Sequence, residues 1–454
     1  MEEKEALKQA ALKYVWPNFA SRKELQKKEP KILISGEGVK VFDIDGKEYI
    51  DAFSANQAVQ CGYGREEIAK AVYEQLKRFS FYPSVIDYFT PPAIKLAEKL
   101  AQLFPGDLSK CYFVNDGSEA VETSLKIAKR TQQARGFPRR YKVISRRMAY
   151  HGATMGALSA LGIPGNREGF DPFVPGVRHV SPPYCYRCEF GKEYPGCDLD
   201  CAKAVEQMVE FENPNTVACV IVEPIMGAAT GYAVPPPEYL PELRRICDKY
   251  EVLLIFDEVS VGFGRTGKMF AMEHFPGVFP DIVTAGKGLA SGYLPICCCA
   301  TTPAIADLFI GENAEFDFVH GHTFGTHPAC CVAALANLEI FEKEGLAKRA
   351  EEMGAYLRGK LENLYEHRIV GDIRGKGMCF GIELVKDKET RRSFDLSLGL
   401  TNWIRVRCYE LGLILRGEPH YIVLCPSLVL KKSEADRIAE ILDRVIAEAE
   451  RKFA

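Results

Sequence analysis

The chain lacks a charge imbalance, long apolar runs and repetition, and each shortage removes a class of function. Lys and Arg number 58 against 61 Asp and Glu, a formal net charge of -3. So even a balance gives no support for a nucleic-acid or membrane-surface partner. The longest uncharged apolar run, near Leu294 to Ala306, contains Pro295 and Pro303 and is too short to span a bilayer. The start, Met1-Glu2-Glu3-Lys4-Glu5, is charged and has no apolar signal segment. No repeat period or low-complexity stretch is visible. The expectation is a cytoplasmic protein without a membrane or nucleic-acid partner. Cysteine, by contrast, is plentiful, at 16 residues. Without a secretion signal these read as reduced thiols rather than a disulfide framework. Cys297-Cys298-Cys299, in a strand-like run, reads as buried apolar filling.

With 454 residues, 47% of them hydrophobic, the chain can bury a sizeable core in two or three domains, or one large domain with a smaller one. Residues 1–14 look helical, and Pro17 closes that piece. Val39 to Asp51 reads as a hairpin around Asp45-Gly46. From about 65 to 325, helical patterns alternate with short apolar strands at Lys110–Val114, Tyr141–Ile144, Val217–Val222, Val252–Asp257, Asp281–Thr284 and Ile296–Ala300. That alternation predicts a mostly parallel sheet flanked by helices. A long helix is expected after Pro328. The tail mixes helices with strands such as Cys379–Leu384 and Tyr421–Leu424, a smaller α+β unit. The resulting division is an N-terminal segment over 1–60 that packs with the small domain, a large domain over 61–330, and a linking helix with the small domain over 331–454.

Two residues carry the chemistry. Asp257 ends an apolar run, and Lys287 follows thirty residues later in Asp281-Ile-Val-Thr-Ala-Gly-Lys287-Gly. A lysine on a turn after a strand can form an imine with an aldehyde cofactor, and a carboxylate at a neighbouring strand end can hold a pyridine nitrogen protonated. Pyridoxal phosphate chemistry needs both, because the ring is an electron sink only when that nitrogen carries its proton. Asp257 could otherwise be a helix cap or a salt-bridge partner. Asn115-Asp116-Gly117-Ser118 precedes a helix, where backbone N–H groups and a hydroxyl can receive a phosphate; an ordinary N-cap by Ser118 or Asp116 gives the same pattern. Tyr150, beside His151 after a strand, can stack on a flat ring or simply fill core. Val259 would face the same side as Asp257 if that strand continued. Thr323, in the Gly/His/Thr loop from His320 to Pro328, reads as a phosphate ligand, since His320 and His322 have no obvious third metal ligand.

Gly262-Phe-Gly264-Arg-Thr-Gly267-Lys268 matches two nucleotide-loop patterns, but Met269 replaces the Ser/Thr that holds Mg²⁺, and no acidic-ended strand follows at the dinucleotide spacing. Cys185, Cys188, Cys197 and Cys201 have paired spacing that thiolate metal sites use, yet the gap between the pairs is shorter than in most zinc modules. Free thiols packing the insert at 181–201 are the expectation, and no metal.

In this order, the segments from about residue 30 to 450 resemble the class III (ω-amino) aminotransferases of pyridoxal-phosphate fold type I. The specific part is Phe256-Asp-Glu-Val-Ser-Val-Gly-Phe-Gly-Arg-Thr-Gly through Ala285-Gly-Lys-Gly-Leu. The resemblance implies an α/β fold whose large domain holds a mostly parallel, seven-stranded type of sheet, plus a smaller α+β C-terminal domain. It implies that Lys287 binds the cofactor and shuttles a proton, that Asp257 pairs with the ring nitrogen, and that Gly117 and Ser118 hold the phosphate. Tyr150 and Val259 would cover the two ring faces, His151 would belong to the same cofactor set, and Thr323 would reach the phosphate from the partner subunit of a homodimer, with a tetramer as the alternative assembly.

The C-terminal segment around Arg416 looks like the pyruvate-using members, where that arginine takes the keto-acid carboxylate bidentately; read alone, Arg416 is a surface arginine. The insert from Tyr184 to Ala202 looks like the taurine–pyruvate branch. Glutamate-using relatives carry an arginine where Val423 stands here, and a masking glutamate where Ala228 follows Glu223-Pro-Ile-Met-Gly227. Amine-accepting relatives often carry a tryptophan near Gln57. The implied reaction moves an amino group from a small ω-amino donor with a polar or anionic head, such as taurine or β-alanine, to pyruvate. The alternatives are an aminomutase of the glutamate-1-semialdehyde type and an aminotransferase using 2-oxoglutarate.

Overall fold

The structure is a computed structural model describing residues 2–19, 29–312 and 314–454. Residues 20–28 of the expected N-terminal segment lie outside the described residues.

Sixteen strands form three sheets among the described residues. Three open the chain: β1 (Leu33–Glu37), β2 (Lys40–Asp43) and β3 (Glu48–Asp51). Seven follow: β4 (Lys110–Val114), β5 (Lys142–Arg146), β6 (Val177–Val180), β7 (Val217–Val222), β8 (Leu253–Asp257), β9 (Ile282–Ala285) and β10 (Cys297–Thr301). The last six are β11 (Val370–Arg374), β12 (Phe380–Asp387), β13 (Arg392–Ser393), β14 (Leu413–Ile414), β15 (Arg416–Gly417) and β16 (Tyr421–Leu424).

The central sheet has the order β4-β10-β9-β8-β7-β5-β6. It is parallel except for β10, which runs against both its neighbours. Every residue of β7, β8, β9 and β10 is buried. Strands covered on both faces need apolar side chains throughout, which is why these segments read as unbroken hydrophobic runs rather than as alternation. Cys297, Cys298 and Cys299 are buried free thiols within β10. The helix Gly117–Ala134 lies over one face and buries Val121, Leu125 and Ala128, residues three and four apart, as a helix with one apolar stripe must. The helix Pro328–Glu344 is buried on several sides, through Ala333, Ala334, Leu338 and Phe341.

The N-terminal strands join the C-terminal part rather than the central sheet. β1-β2-β3 form antiparallel pairs, and β3 pairs in parallel with β14, Leu413 opposite Ile50. The third sheet is β11-β12-β16-β15, with β13 on β12.

Several boundaries differ from the sequence reading. Asp281 precedes β9, and its carboxylate accepts from Leu254 N and pairs with Arg244. β8 stops at Asp257, so Val259 is placed by a turn and not by strand alternation. β1 and β6 are additions. β1 is an exposed edge with almost no buried side chain, and β6 is Val-Arg-His-Val, so neither carries a hydrophobic period to read.

Candidate active site

In a parallel sheet the carboxyl ends of the strands share one edge, and the loops leaving it converge. β4, β5, β7, β8 and β9 all deliver a loop there, and antiparallel β10 starts there, with Cys297 opposite Val114. Between these loops lies a cavity of about 510 Å³ lined by Gly117, Ser118, Tyr150, His151, Asp257, Val259, Lys287, Gln57 and Arg416, among others. Nine of the ten site residues expected from sequence therefore meet in one place.

Lys287 sits at φ 44°, a left-handed backbone that costs a non-glycine residue about 1 kcal/mol or more. Such strain gathers where a side chain must be aimed. Its Nζ donates to Ser260 Oγ at 2.7 Å. Burial pushes the amine down to about 8, with the charge of Arg416 in the same direction and Asp257 opposing. A larger neutral fraction is what a lysine needs to attack an aldehyde.

Asp257 is 4% exposed and accepts three hydrogen bonds. His151 Nδ1 lies 2.7 Å from Oδ2. Thr284 Oγ1 and Val259 N donate to Oδ1 at 3.0 and 3.1 Å. A carboxylate only accepts, so the Nδ1 of His151 carries the hydrogen. Its other nitrogen, Nε2, is buried without a partner among the described residues. Thr284 is the register partner of Asp257 across β8–β9, which explains that contact.

Opposite Asp257, the helix Gly117–Ala134 begins. Asp116 Oδ1 caps it by accepting from Glu119 N at 2.9 Å, so the cap is Asp116 and Ser118 is left for other work. Ser118 Oγ accepts from Ala153 N at 3.2 Å. A Cβ on Gly117 would stand 2.8 Å from Val259 Cγ1, and one on Gly152 would stand 2.8 Å from Ser118. Both glycines keep a wall of the cavity bare. Tyr150 lines it half-buried, its phenol pushed up by burial despite nearby Arg416.

Gln57 ends a left-handed turn of four non-glycine residues, Ser54, Ala55, Asn56 and Gln57, at φ 41°, 46°, 61° and 70°. Asp51 holds that turn, accepting from Phe53 N, Ala55 N and Tyr63 Oη at 3.0, 2.7 and 2.6 Å. Gln57 is buried, with Oε1 unpartnered among the described residues. Arg416 enters from β15, its side chain 43% exposed and its Nε 2.5 Å from Glu418 Oε1. Thr323 is the residue that does not join the cavity of this chain. It is exposed in the loop at 320–327, whose next residue, Phe324, is 5.3 Å from the Phe81 ring between centroids.

A flat, anionic aldehyde cofactor fits this donor set: bare backbone and a hydroxyl at a helix start, a fixed carboxylate deep in the cavity, an aromatic wall and a buried lysine. The class-III aminotransferase family matches residues 25–446. The chain is a class-III aminotransferase. A probable aminotransferase of Mycobacterium tuberculosis is 41% identical over 455 residues, covering 99% of this chain and 96% of that one. The taurine–pyruvate aminotransferase of Bilophila wadsworthia is 38% identical, with 97% of each chain covered. A diaminobutyrate–2-oxoglutarate transaminase of Halomonas elongata is 37% identical, covering 92% of this chain and 90% of that one. Among solved structures, a thermostable (S)-enantioselective omega-transaminase from Thermomicrobium roseum superposes with a TM-score of 0.94 at 39% identity, with 98% of each chain covered. An omega-transaminase from Pseudomonas jessenii in complex with PMP gives 0.94 at 35%, covering 98% of this chain and 99% of that one. This class-III aminotransferase has the type I fold of those enzymes, and its cofactor is pyridoxal phosphate.

Three polar partners escape a sequence reading. Thr284 meets Asp257 across the sheet by register, and Ser260 meets Lys287 between the turns that follow β8 and β9. Glu418 meets Arg416 two residues away, and strand alternation alone could have found it. The glycine-rich segment at 262–268 has a structural task. Arg265, fully buried, donates to the carbonyls of Cys425 and Pro426, to Ser54 Oγ and to the Gln57 carbonyl. Cys185, Cys188, Cys197 and Cys201 are free thiols lining one small void. No group of three or more His, Cys, Asp or Glu among the described residues is arranged to hold a metal. No helix among them is long and apolar enough to cross a membrane.

Proposed function

We propose that this aminotransferase moves an amino group from a small ω-amino donor to pyruvate, releasing alanine in the second half of a two-step cycle. When bound, pyridoxal phosphate supplies the aldehyde that captures the donor amine and a ring that takes up the electron pair of the donor carbon. Lys287 Nζ would take the proton from the donor carbon as base and deliver it as acid to the carbon that had been the cofactor's aldehyde carbon, C4′. Asp257, oriented by His151 and Thr284, keeps a proton on the ring nitrogen. Ser118 Oγ and the backbone at Gly117 would hold the phosphate, and Tyr150 and Val259 would cover the two ring faces.

The observation that carries the acceptor is Arg416. It is an arginine at the cavity wall, whereas Val423 is buried in β16 and Ala228 stands where a masking carboxylate would be. A guanidinium fork suits a carboxylate. Gln57, smaller than a tryptophan and polar, with an amide that can donate as well as accept, supports a donor with a polar or anionic head over a bulky aryl group. The taurine–pyruvate relative agrees with this reading. Steady-state kinetics with taurine, β-alanine and 1-phenylethylamine, each against pyruvate and 2-oxoglutarate, test it. The expected order has taurine or β-alanine with pyruvate highest in kcat/KM. Faster turnover of 1-phenylethylamine defeats the donor assignment, and a preference for 2-oxoglutarate defeats the acceptor. Product formation without any keto acid would instead indicate an intramolecular aminomutase.

The active form we propose is a homodimer, with Thr323 of one subunit reaching the other's phosphate. Support comes from exposed apolar residues in the segments at 86–89 and 319–324. Ile86 is 93% and Val319 96% exposed, with Phe89 and Phe324 nearby in sequence also exposed. Ser84 N donates to Thr326 Oγ1 at 2.9 Å, tying the two segments together. An apolar surface of this kind calls for a partner.

A further inference from the structure

β15 is two residues long, and the turn Glu418-Pro419-His420 returns the chain into β16, closed by Glu418 N donating to Tyr421 O at 2.9 Å. In extended backbone, side chains two apart share a side. Arg416 and Glu418 therefore project together, and Glu418 Oε1 lies 2.5 Å from Arg416 Nε, a close ion pair without hydrogen-bond alignment, since Oε1 accepts no hydrogen bond among the described residues. The two ends of the pair differ in environment. The Arg416 side chain is 43% exposed at the cavity wall, while that of Glu418 is 14% exposed. Burial pushes the Glu418 carboxyl up and Arg416 counters it. A mostly buried carboxylate holds to its cation, because separation would leave it desolvated and unpaired. An incoming carboxylate that binds the guanidinium side-on, through Nε and one Nη, meets the charge of Glu418 already against Nε.

We propose that Glu418 is a resident competitor for Arg416, which weakens carboxylate binding and sets the balance between carboxylate-bearing and uncharged substrates. The proposal rests on the reading of Arg416 as the keto-acid site. Glu418 is a positioning residue, acting through Arg416 and not on substrate. With an uncharged donor in place, the pair stays closed and Arg416 is neutralised. With pyruvate, the keto acid displaces Glu418 from Nε.

The test compares Glu418→Gln and Arg416→Leu holoenzymes with the parent, by kinetics with pyruvate and by calorimetric titration with propanoate, an unreactive carboxylate. Glu418→Gln should lower the KM for pyruvate and tighten propanoate by about three- to fivefold, the range of a partly exposed ion pair. The change should fall on KM rather than kcat, and β-alanine should gain on 1-aminopropane as donor. A KM or propanoate affinity that stays the same or weakens overturns the proposal, because Glu418 would then be bracing Arg416. If Arg416→Leu leaves the pyruvate KM unchanged, the Arg416 reading itself fails. If Arg416→Leu raises it but Glu418→Gln does not lower it, only the Glu418 proposal fails. Should Glu418→Gln not fold, Glu418→Asp, which moves the carboxylate back by one methylene, must shift both readouts in the same direction by a smaller factor.

Discussion

At the scale of single residues, Lys287 is the group on which the chemistry turns, and its environment makes a pH prediction. Its amine is protonated below about pH 8 and neutral above, because burial favours the uncharged form. The rate at which apo-protein takes up pyridoxal phosphate should therefore rise with pH up to about 8 and level off beyond it. An unshifted lysine would keep the rate climbing well past pH 9, toward its ordinary value near 10.4. Lys287→Ala should lose transamination by many orders of magnitude. Ser260→Ala removes only the hydroxyl that receives Nζ and should cost about tenfold in kcat, or roughly 1.4 kcal/mol of barrier. Lys287 and Asp257 were legible from sequence because each sits in a short local signature at the end of an apolar strand. Ser260 and Thr284 were not, because each contact joins residues 27 positions apart in sequence, with no local pattern to record it. Gln57 could be named but not its geometry, since nothing in Ser-Ala-Asn-Gln announces four left-handed residues.

At the scale of elements, two pieces of backbone shape the cavity. Gly117 opens the helix beneath the cofactor site, where a Cβ would strike Val259 Cγ1 at 2.8 Å. Gly117→Ala should weaken pyridoxal phosphate binding by about tenfold or more, read by equilibrium titration of apo-protein. Adding Val259→Ala should restore part of the loss by removing the clashing methyl. If the double variant binds no better than Gly117→Ala, the close approach is not the cause. Arg265 fastens the left-handed turn carrying Gln57 to the end of β16, through four acceptors. Arg265→Met leaves those acceptors unmet and should cost roughly 2–4 kcal/mol of stability, visible as a lower thermal midpoint. It should also raise the donor KM, because Gln57 loses its support. The same segment matched two nucleotide-loop patterns. It is instead a buried turn, with Gly264 and Gly267 at φ 82° and 96° and no phosphate-facing helix behind it. The fully buried strands were read correctly from their apolar runs, with ends off by a residue. β1 and β6 escaped because an exposed edge and a half-polar strand have no such run.

At the scale of the whole molecule, alternating helices and apolar strands were enough to foresee a mostly parallel sheet and six of its seven strands, while the count of seven came from the family resemblance. The pairing of β3 with β14, more than 360 residues apart by its Ile50–Leu413 register, was not readable in detail because nothing local records it. Thr323 defines the assembly question. It lies outside the cavity of its own chain, so subunit mixing should reveal where it acts. Lys287→Ala and Thr323→Ala proteins, each impaired alone, should regain about a quarter of wild-type activity when mixed and exchanged, because random pairing makes half the dimers mixed and each mixed dimer holds one intact site. No recovery would place Thr323 in its own subunit's site or in none.

The most direct test of the central claim is the absorbance spectrum of the purified holoenzyme before and after an amine donor, and again after pyruvate. Lysine-bound cofactor should give a visible band that bleaches with taurine or β-alanine, returns with pyruvate, and is missing in Lys287→Ala. A protein that shows no such band after soaking with pyridoxal phosphate, or whose bleached band pyruvate fails to restore, would contradict that claim.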